Sequence, residues 1–170
     1  MKPLILISIL SACILSGCAT RQPEQNKPTA REHLVGAWRL VSWEARAEGQ
    51  TSFPFGADAS GLLIYTATGQ MSVFLSQPNR KRFVGVEAQA GAVAEKAAAF
   101  DSCFAYSGTF EVADGRVIHR LEHCTFPNWI GTGQVRLLRL DGNRLILETP
   151  PLPTNGREAV SRLVWAGIKS

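Results

Sequence analysis

From Leu34 onward, turn residues separate short segments that are either apolar throughout or alternate apolar with polar residues. This pattern constrains the fold more than any other feature. Repeated short strands separated by turns are typical of an all-β barrel or sandwich. Eight strands is the number that closes a small antiparallel up-and-down barrel around one ligand-sized interior. We count eight candidate strands, at residues 35–46, 61–66, 71–77, 104–112, 116–125, 132–140, 144–149 and 159–166.

The connections agree with this order. Asp114-Gly115 and Asp141-Gly142 supply residues that tolerate positive φ, as tight hairpin turns require. One alanine-rich stretch, residues 86–100, instead has its apolar residues at helical spacing. We therefore predict one short amphipathic helix that lies across one end or side of the barrel.

A two-residue loop at Asp114-Gly115 would also fix the register of its hairpin. In that register Phe110 lies opposite His119 and Tyr106 lies opposite His123, on an apolar face that we expect to be the interior. Cys103 and Cys124 then share a face as a diagonal pair. We predict a disulfide between them, with two separate half-buried thiols as the alternative.

The interior face carries the first candidate ligand-binding residues, which are Tyr106, Phe110, His119 and His123. Binding pockets place a few polar groups within apolar walls, so His119 is a candidate hydrogen-bond donor to a ligand. The alternative is a structural histidine that a neighbouring hydroxyl or a water satisfies. A third reading makes His119, with Tyr106, a general acid or base of an isomerase or cyclase.

Trp43, Trp129 and Arg39 complete the candidate ligand-binding set. The two tryptophans fit either the pocket rim or the core. Trp129 follows Pro127 and Asn128, so it belongs to a loop that forms a lid or contact surface, or that folds back over the barrel end. Arg39, like Arg136, would pair with a carboxylate ligand if it points inward, although strand cations more often extend to solvent.

Several classes of function find no support in the sequence. His119 and His123 are four strand residues apart, roughly 13 Å, which is too far for one metal ion. A nucleophile elbow and a glycine-rich phosphate loop are both missing, so we assign no catalytic residue and no cofactor and favour a binding protein over an enzyme. The formal charge of +4 is mild and no basic strip interleaves with aromatics, which argues against a nucleic-acid partner.

The N-terminus has the features of a signal peptide: Lys2, an apolar stretch from Leu4 to Leu15, and a small residue before Cys18. Residues 15–18, Leu-Ser-Gly-Cys, resemble the lipobox of bacterial lipoproteins. The resemblance implies cleavage before Cys18 and its acylation, for example by palmitate, and Ala19 implies sorting to the periplasmic face of the outer membrane. The alternative is a plain secretory signal with an incidental cysteine. We assign residues 1–17 to the signal peptide, 18–33 to the lipidated cysteine and flexible tether, and 34–170 to the barrel domain.

Five ordered blocks of the domain resemble the bacterial lipocalin-like domain family. They are Leu34 to Glu44 with its Gly36-Ala37-Trp38, Pro54 to Gly56, Gly61 to Thr66 with Met71-Ser72, Tyr106 to Phe110, and Phe126 to Trp129 with Gly131. The resemblance implies a lipocalin-like barrel in which Trp38 plugs the closed end. It also suggests that Arg162 stacks on the Trp38 ring.

We therefore expect an outer-membrane-anchored periplasmic lipoprotein whose barrel binds a small, mostly apolar ligand. The first alternative is a lipoprotein that interacts with, or inhibits, another protein of the cell envelope. An exposed Trp129 loop over a filled interior would favour that alternative. The isomerase or cyclase is the remaining possibility.

Overall fold

A computed structural model describes residues 29–87, 89–154 and 156–168. Eight strands form a closed antiparallel ring in which β1 pairs with both β3 and β10. The predicted eight-stranded antiparallel barrel with a short helix is thereby confirmed. The strands of the ring are β1 (Gly36–Ala47), β3 (Ser60–Tyr65), β4 (Gln70–Ser76), β5 (Cys103–Ala113), β6 (Arg116–Cys124), β7 (Gly133–Asp141), β8 (Arg144–Glu148) and β10 (Arg157–Gly167).

Two short strands lie beside the ring and were not predicted. β2 (Gln50–Ser52) pairs with the end of β1, and β9 (Leu152–Thr154) pairs with the start of β10. All three residues of β2 are polar and exposed, and β9 contains Pro153, which cannot donate to a sheet. Neither segment has the apolar alternation by which strands are recognised in a sequence.

Helix α1 (Ala30–Leu34) closes one end of the barrel. It begins with a capping box in which Glu32 donates its backbone N–H to the Thr29 hydroxyl and accepts from the Thr29 backbone N–H. Leu34 is fully buried, and its carbonyl accepts a hydrogen bond of 2.9 Å from the Trp38 indole. Trp38 is 7% exposed and plugs this end, as the family resemblance implied.

The expected stacking of Arg162 on Trp38 is wrong. Trp38 lies opposite Gly167 in the register of β1 and β10, whereas Arg162 lies opposite Glu44, six positions further along β1. Arg162 forms a salt bridge of 3.1 Å with Glu148 on β8. The antiparallel register thus carries Arg162 well away from the closed end.

The opposite end of the barrel carries the long connections, including helix α2 (Val93–Asp101) between β4 and β5. The helix is shorter than the predicted 86–100 segment because the Glu95 carboxylate accepts from the backbone N–H groups of Ala92 and Val84. These bonds fix the start of the helix at Val93, and the described residues between Val84 and Ala92 are not helical. The predicted packing of an apolar helix face is wrong, since no residue of α2 is buried and Val93 is 85% exposed.

The β5–β6 hairpin follows the predicted register only near its turn. Phe110 lies opposite His119 and Gly108 opposite Leu121, as predicted, but Ser107 then lies opposite His123. Glu122 is therefore an extra residue, a β-bulge that moves the rest of β6 by one position. The predicted interior placement of His123 is wrong, because a one-residue shift moves a side chain to the other face.

The bulge also separates the two cysteines. Cys124 lies opposite Tyr106, and Cys103 is three residues from Tyr106 on the same strand, so the two thiols belong to opposite faces. Both are free, and the Cys103 thiol lies 3.5 Å from the Ala99 carbonyl oxygen. The predicted disulfide is wrong for the same reason that the placement of His123 is wrong.

Candidate functional site

A cavity of about 290 Å³ occupies the half of the barrel away from α1. Most of its wall is aliphatic or aromatic, and the polar side chains are few. The apolar residues are Trp43, Leu63, Val73, Leu75, Phe104, Trp129, Leu147, Leu152, Pro153, Leu163 and Trp165, and the polar ones are Tyr106, His119, Arg136, Thr149 and Ser161. An apolar wall with a few placed polar groups is the usual character of a small-molecule pocket.

A fully buried histidine between two tyrosines lies on the closed-end side of the cavity. His119 Nε2 lies 2.6 Å from the Tyr65 hydroxyl, and Nδ1 lies 3.0 Å from the Tyr106 hydroxyl. Both ring nitrogens are thus paired within the barrel. His119 and Tyr106 line the cavity, while Tyr65 lies behind them against Phe110, with ring centroids 4.6 Å apart.

Electrostatics keep this cluster uncharged. Burial and then the neighbouring Arg136 cation lower the pKa of His119 to about 3, so the imidazole is neutral at ordinary pH. Burial raises the pKa of both Tyr65 and Tyr106, and Arg136 partly opposes that rise. The two phenols therefore keep their protons, and Arg136 is the one formal charge among the described residues of the cavity wall.

Acidification is expected to destabilise the wild-type protein more than a His119→Gln variant. Unfolded His119 binds a proton near its ordinary pKa of 6.5, whereas the folded residue stays neutral down to about pH 3. The unfolded state then binds more protons, so stability falls as the pH drops below 6.5, by up to about 1.4 kcal/mol per pH unit. Urea unfolding between about pH 7 and pH 4.5 measures the slope. A slope in His119→Gln equal to that of the wild type would contradict the expectation.

Two aromatic residues shape the mouth of the cavity. Trp129, in the 3-10 turn Pro127–Trp129, packs edge-on against Phe104 with ring centroids 5.4 Å apart. Trp43 packs edge-on against Phe55 at 4.9 Å, and its indole N–H donates to the Ser161 hydroxyl at 3.5 Å. Both rings line the cavity, so the Trp129 loop folds back over the barrel end.

The structure brings together four of the seven predicted ligand-binding residues: Tyr106, His119, Trp43 and Trp129 all line the cavity. Phe110 is buried opposite His119 but lies deeper, between Tyr65 and the Arg31 guanidinium, which is 5.2 Å from its ring centroid. The remaining two, His123 and Arg39, are exposed on the outside of the barrel.

The inward-pointing cation is Arg136, and Arg39 is not available to a ligand in the cavity. In β1, Arg39 lies between Trp38 and Leu40, which are both buried. Because successive strand residues point to opposite faces, this order in the sequence indicates that Arg39 faces solvent. Trp165 was missed as a cavity residue. It lies within a continuous apolar run of β10, Leu163 to Ala166, so its sequence context does not tell one face from the other.

Among the described residues, no three His, Cys, Asp or Glu side chains group closely enough to hold a metal ion. The described helices also include none with the length and apolar character needed to cross a bilayer.

Comparison with known proteins agrees with this architecture. The family model described as a lipocalin-like domain matches residues 35–168. A 4'-hydroxy-3'-methoxypropiophenone carrier protein of Aspergillus oryzae (strain ATCC 42149 / RIB 40) is 38% identical over 104 residues, which cover 56% of this chain and 94% of the relative. No solved structure matches the chain. Since the family model covers nearly the whole barrel, the chain belongs to the lipocalin-like domain family.

Proposed function

We infer that the protein is a carrier that binds a compact, mostly apolar and aromatic small molecule inside its barrel. The observation that carries this inference is the cavity itself, which has an apolar and aromatic wall with a few buried polar side chains. Three indole rings, those of Trp43, Trp129 and Trp165, line it and suit contact with a flat ligand.

The size of the cavity restricts the ligand. At about 290 Å³ it lies at the lower end of the roughly 300–1,000 Å³ that ligand pockets span. A compact ring compound fits such a volume better than a long acyl chain. The name of the Aspergillus relative, a carrier of a substituted propiophenone, supports the same size and chemistry.

The fold of the mouth favours a carrier over an envelope interaction protein. An exposed Trp129 loop over a filled interior would favour the interaction hypothesis. Trp129 instead packs on Phe104, and the interior behind it is a cavity. The aromatic rings at the mouth therefore face a cavity that can hold a small molecule.

Titration with 4'-hydroxy-3'-methoxypropiophenone tests the proposal, with quenching of tryptophan fluorescence as the readout. We expect saturable binding that Val73→Phe weakens by at least about tenfold, because Val73 lines the cavity and a phenyl ring fills part of it. Val41→Phe is the matched control, since Val41 is exposed on the outside of β1. Equal binding by both variants would place the probe outside the cavity and contradict the proposal.

We further propose that the carrier is anchored by acylated Cys18 to the periplasmic face of the outer membrane. The support is in the sequence alone, where Leu-Ser-Gly-Cys at 15–18 closes a signal-like apolar stretch, outside the residues that the structure describes. Cys18→Ala should abolish metabolic labelling with palmitate, whereas Cys13→Ala, within the same stretch, should not. Label that persists in the Cys18 variant would contradict the anchor.

A further inference from the structure

Within the described ranges, the indole N–H of Trp165 is a buried donor without an acceptor. Trp165 lies on β10, is 1% exposed and lines the cavity. In the part of the chain that the structure describes, its Nε1 is the one buried side-chain nitrogen or oxygen that lacks a hydrogen-bond partner. Buried polar groups are nearly always paired, so an orphaned donor on a residue that lines the cavity points to an acceptor on the ligand.

Arg136 contributes a buried positive charge to the same wall. It is 7% exposed, and its Nη1 donates to the Val135 carbonyl oxygen at 2.8 Å. None of the salt bridges among the described residues involves Arg136, and no described lining residue is acidic. A buried cation is strongly disfavoured unless an anion compensates it, and the described residues supply none to Arg136.

Tyr106 can supply a third donor. A neutral imidazole has one N–H and one bare nitrogen, so it donates to one of its two tyrosines and accepts from the other. Tyr65 does not line the cavity, and among the described residues His119 is the hydrogen-bond partner of its hydroxyl. If Tyr65 donates its hydroxyl proton to His119 Nε2, that proton has an acceptor. Nδ1–H then donates to Tyr106, whose own O–H is left for a ligand.

We propose that the ligand is a small aromatic anion whose charged oxygen, a carboxylate or an ionised phenol, is held by Arg136 and Trp165. This proposal rests on the proposed carrier function and specifies its ligand class. The guanidinium supplies the compensating charge, the indole N–H fixes the position of the oxygen, and the apolar wall covers the ring.

Three ring compounds of similar size test the proposal by calorimetric titration at about pH 8. The probes are 3,4-dimethoxybenzoate, which is a carboxylate, 4'-hydroxy-3'-methoxypropiophenone, which has an acidic phenol, and the neutral methyl 3,4-dimethoxybenzoate. We expect at least one acidic probe to bind the wild-type protein about tenfold or more tightly than the neutral ester. Whichever acidic probe binds more tightly identifies the source of the charged oxygen.

Variants test whether Arg136 and Trp165 cause the preference for an acidic probe. Arg136→Gln should remove the preference for the acidic probe, and Trp165→Phe, which keeps a ring but loses the N–H, should reduce it. Arg39→Gln is the matched control because Arg39 is exposed on the outside of the barrel. The comparison of probes on the wild-type protein requires no variant, so it stands even if Arg136→Gln does not fold.

The outcomes separate this proposal from the proposed function. If the wild-type protein binds the neutral ester as tightly as both acidic probes, and Val73→Phe weakens all three, the anion site is overturned and the carrier stands. If none of the three probes binds, both proposals fail.

Discussion

Replacing Gly108 by alanine is expected to lower the free energy of unfolding by about 3 kcal/mol or more, or to prevent folding. A Cβ at this position would lie 1.9 Å from the Arg120 carbonyl oxygen and 2.9 Å from the Glu122 backbone nitrogen. Both contacts are with backbone atoms of the bulged strand, which cannot move without separating β5 from β6. Chemical denaturation followed by circular dichroism measures the loss.

Gly133→Ala is the matched control on the neighbouring strand β7. A Cβ there meets its nearest atom, Ile118 Cγ2, at 3.4 Å, which is ordinary van der Waals contact. We expect this variant to stay within about 1 kcal/mol of the wild type. If Gly108→Ala is as stable as Gly133→Ala, the close approach at the bulge is not what requires glycine.

Replacing Trp38 by alanine is expected to cost about 3–5 kcal/mol of stability. The indole fills the closed end of the barrel, and its N–H pairs with the Leu34 carbonyl in a buried hydrogen bond. Trp38→Phe keeps most of the packing and leaves that carbonyl without its donor, so we expect it to cost only about 1–2 kcal/mol. Urea unfolding of both variants separates packing from hydrogen bonding.

Trp129→Ala makes the same change at the opposite end of the barrel. Trp129 is partly buried at the mouth and lines the cavity, so we expect it to cost less than half as much stability as Trp38→Ala. The main effect of Trp129→Ala should instead be weaker binding of 4'-hydroxy-3'-methoxypropiophenone. Equal losses of stability in the two variants would contradict the assignment of one tryptophan to the plug and the other to the mouth.

The sequence predicted the barrel well because strand alternation and hairpin turns are local properties. The eight strands of the ring lie within a few residues of their predicted bounds, and the Asp114-Gly115 hairpin set Phe110 against His119. The helix was placed less accurately. The Glu95 carboxylate accepts hydrogen bonds from the backbone N–H groups of Val84 and Ala92, and these bonds fix the start of the helix at Val93. Hydrophobic periodicity contains no information about such bonds.

The candidate site was predicted only in part. His119, Tyr106, Trp43 and Trp129 were identified because their residue types and positions on strands or a loop indicated an interior or a rim. One extra residue, Glu122, placed His123 outside and separated Cys103 from Cys124. A bulge depends on how two strands meet, so counting pairs outward from a turn loses accuracy beyond it.

The amino-acid sequence by itself determined the class of fold, the strand order and the family, because each depends on periodicity, turn residues and short motifs. Only the tertiary structure decided which end of the barrel is open, that Arg136 rather than Arg39 faces the cavity, and that the Trp165 indole N–H has no acceptor among the described residues. Those properties arise when the ring closes, since closure brings side chains from strands distant in sequence into one enclosed space.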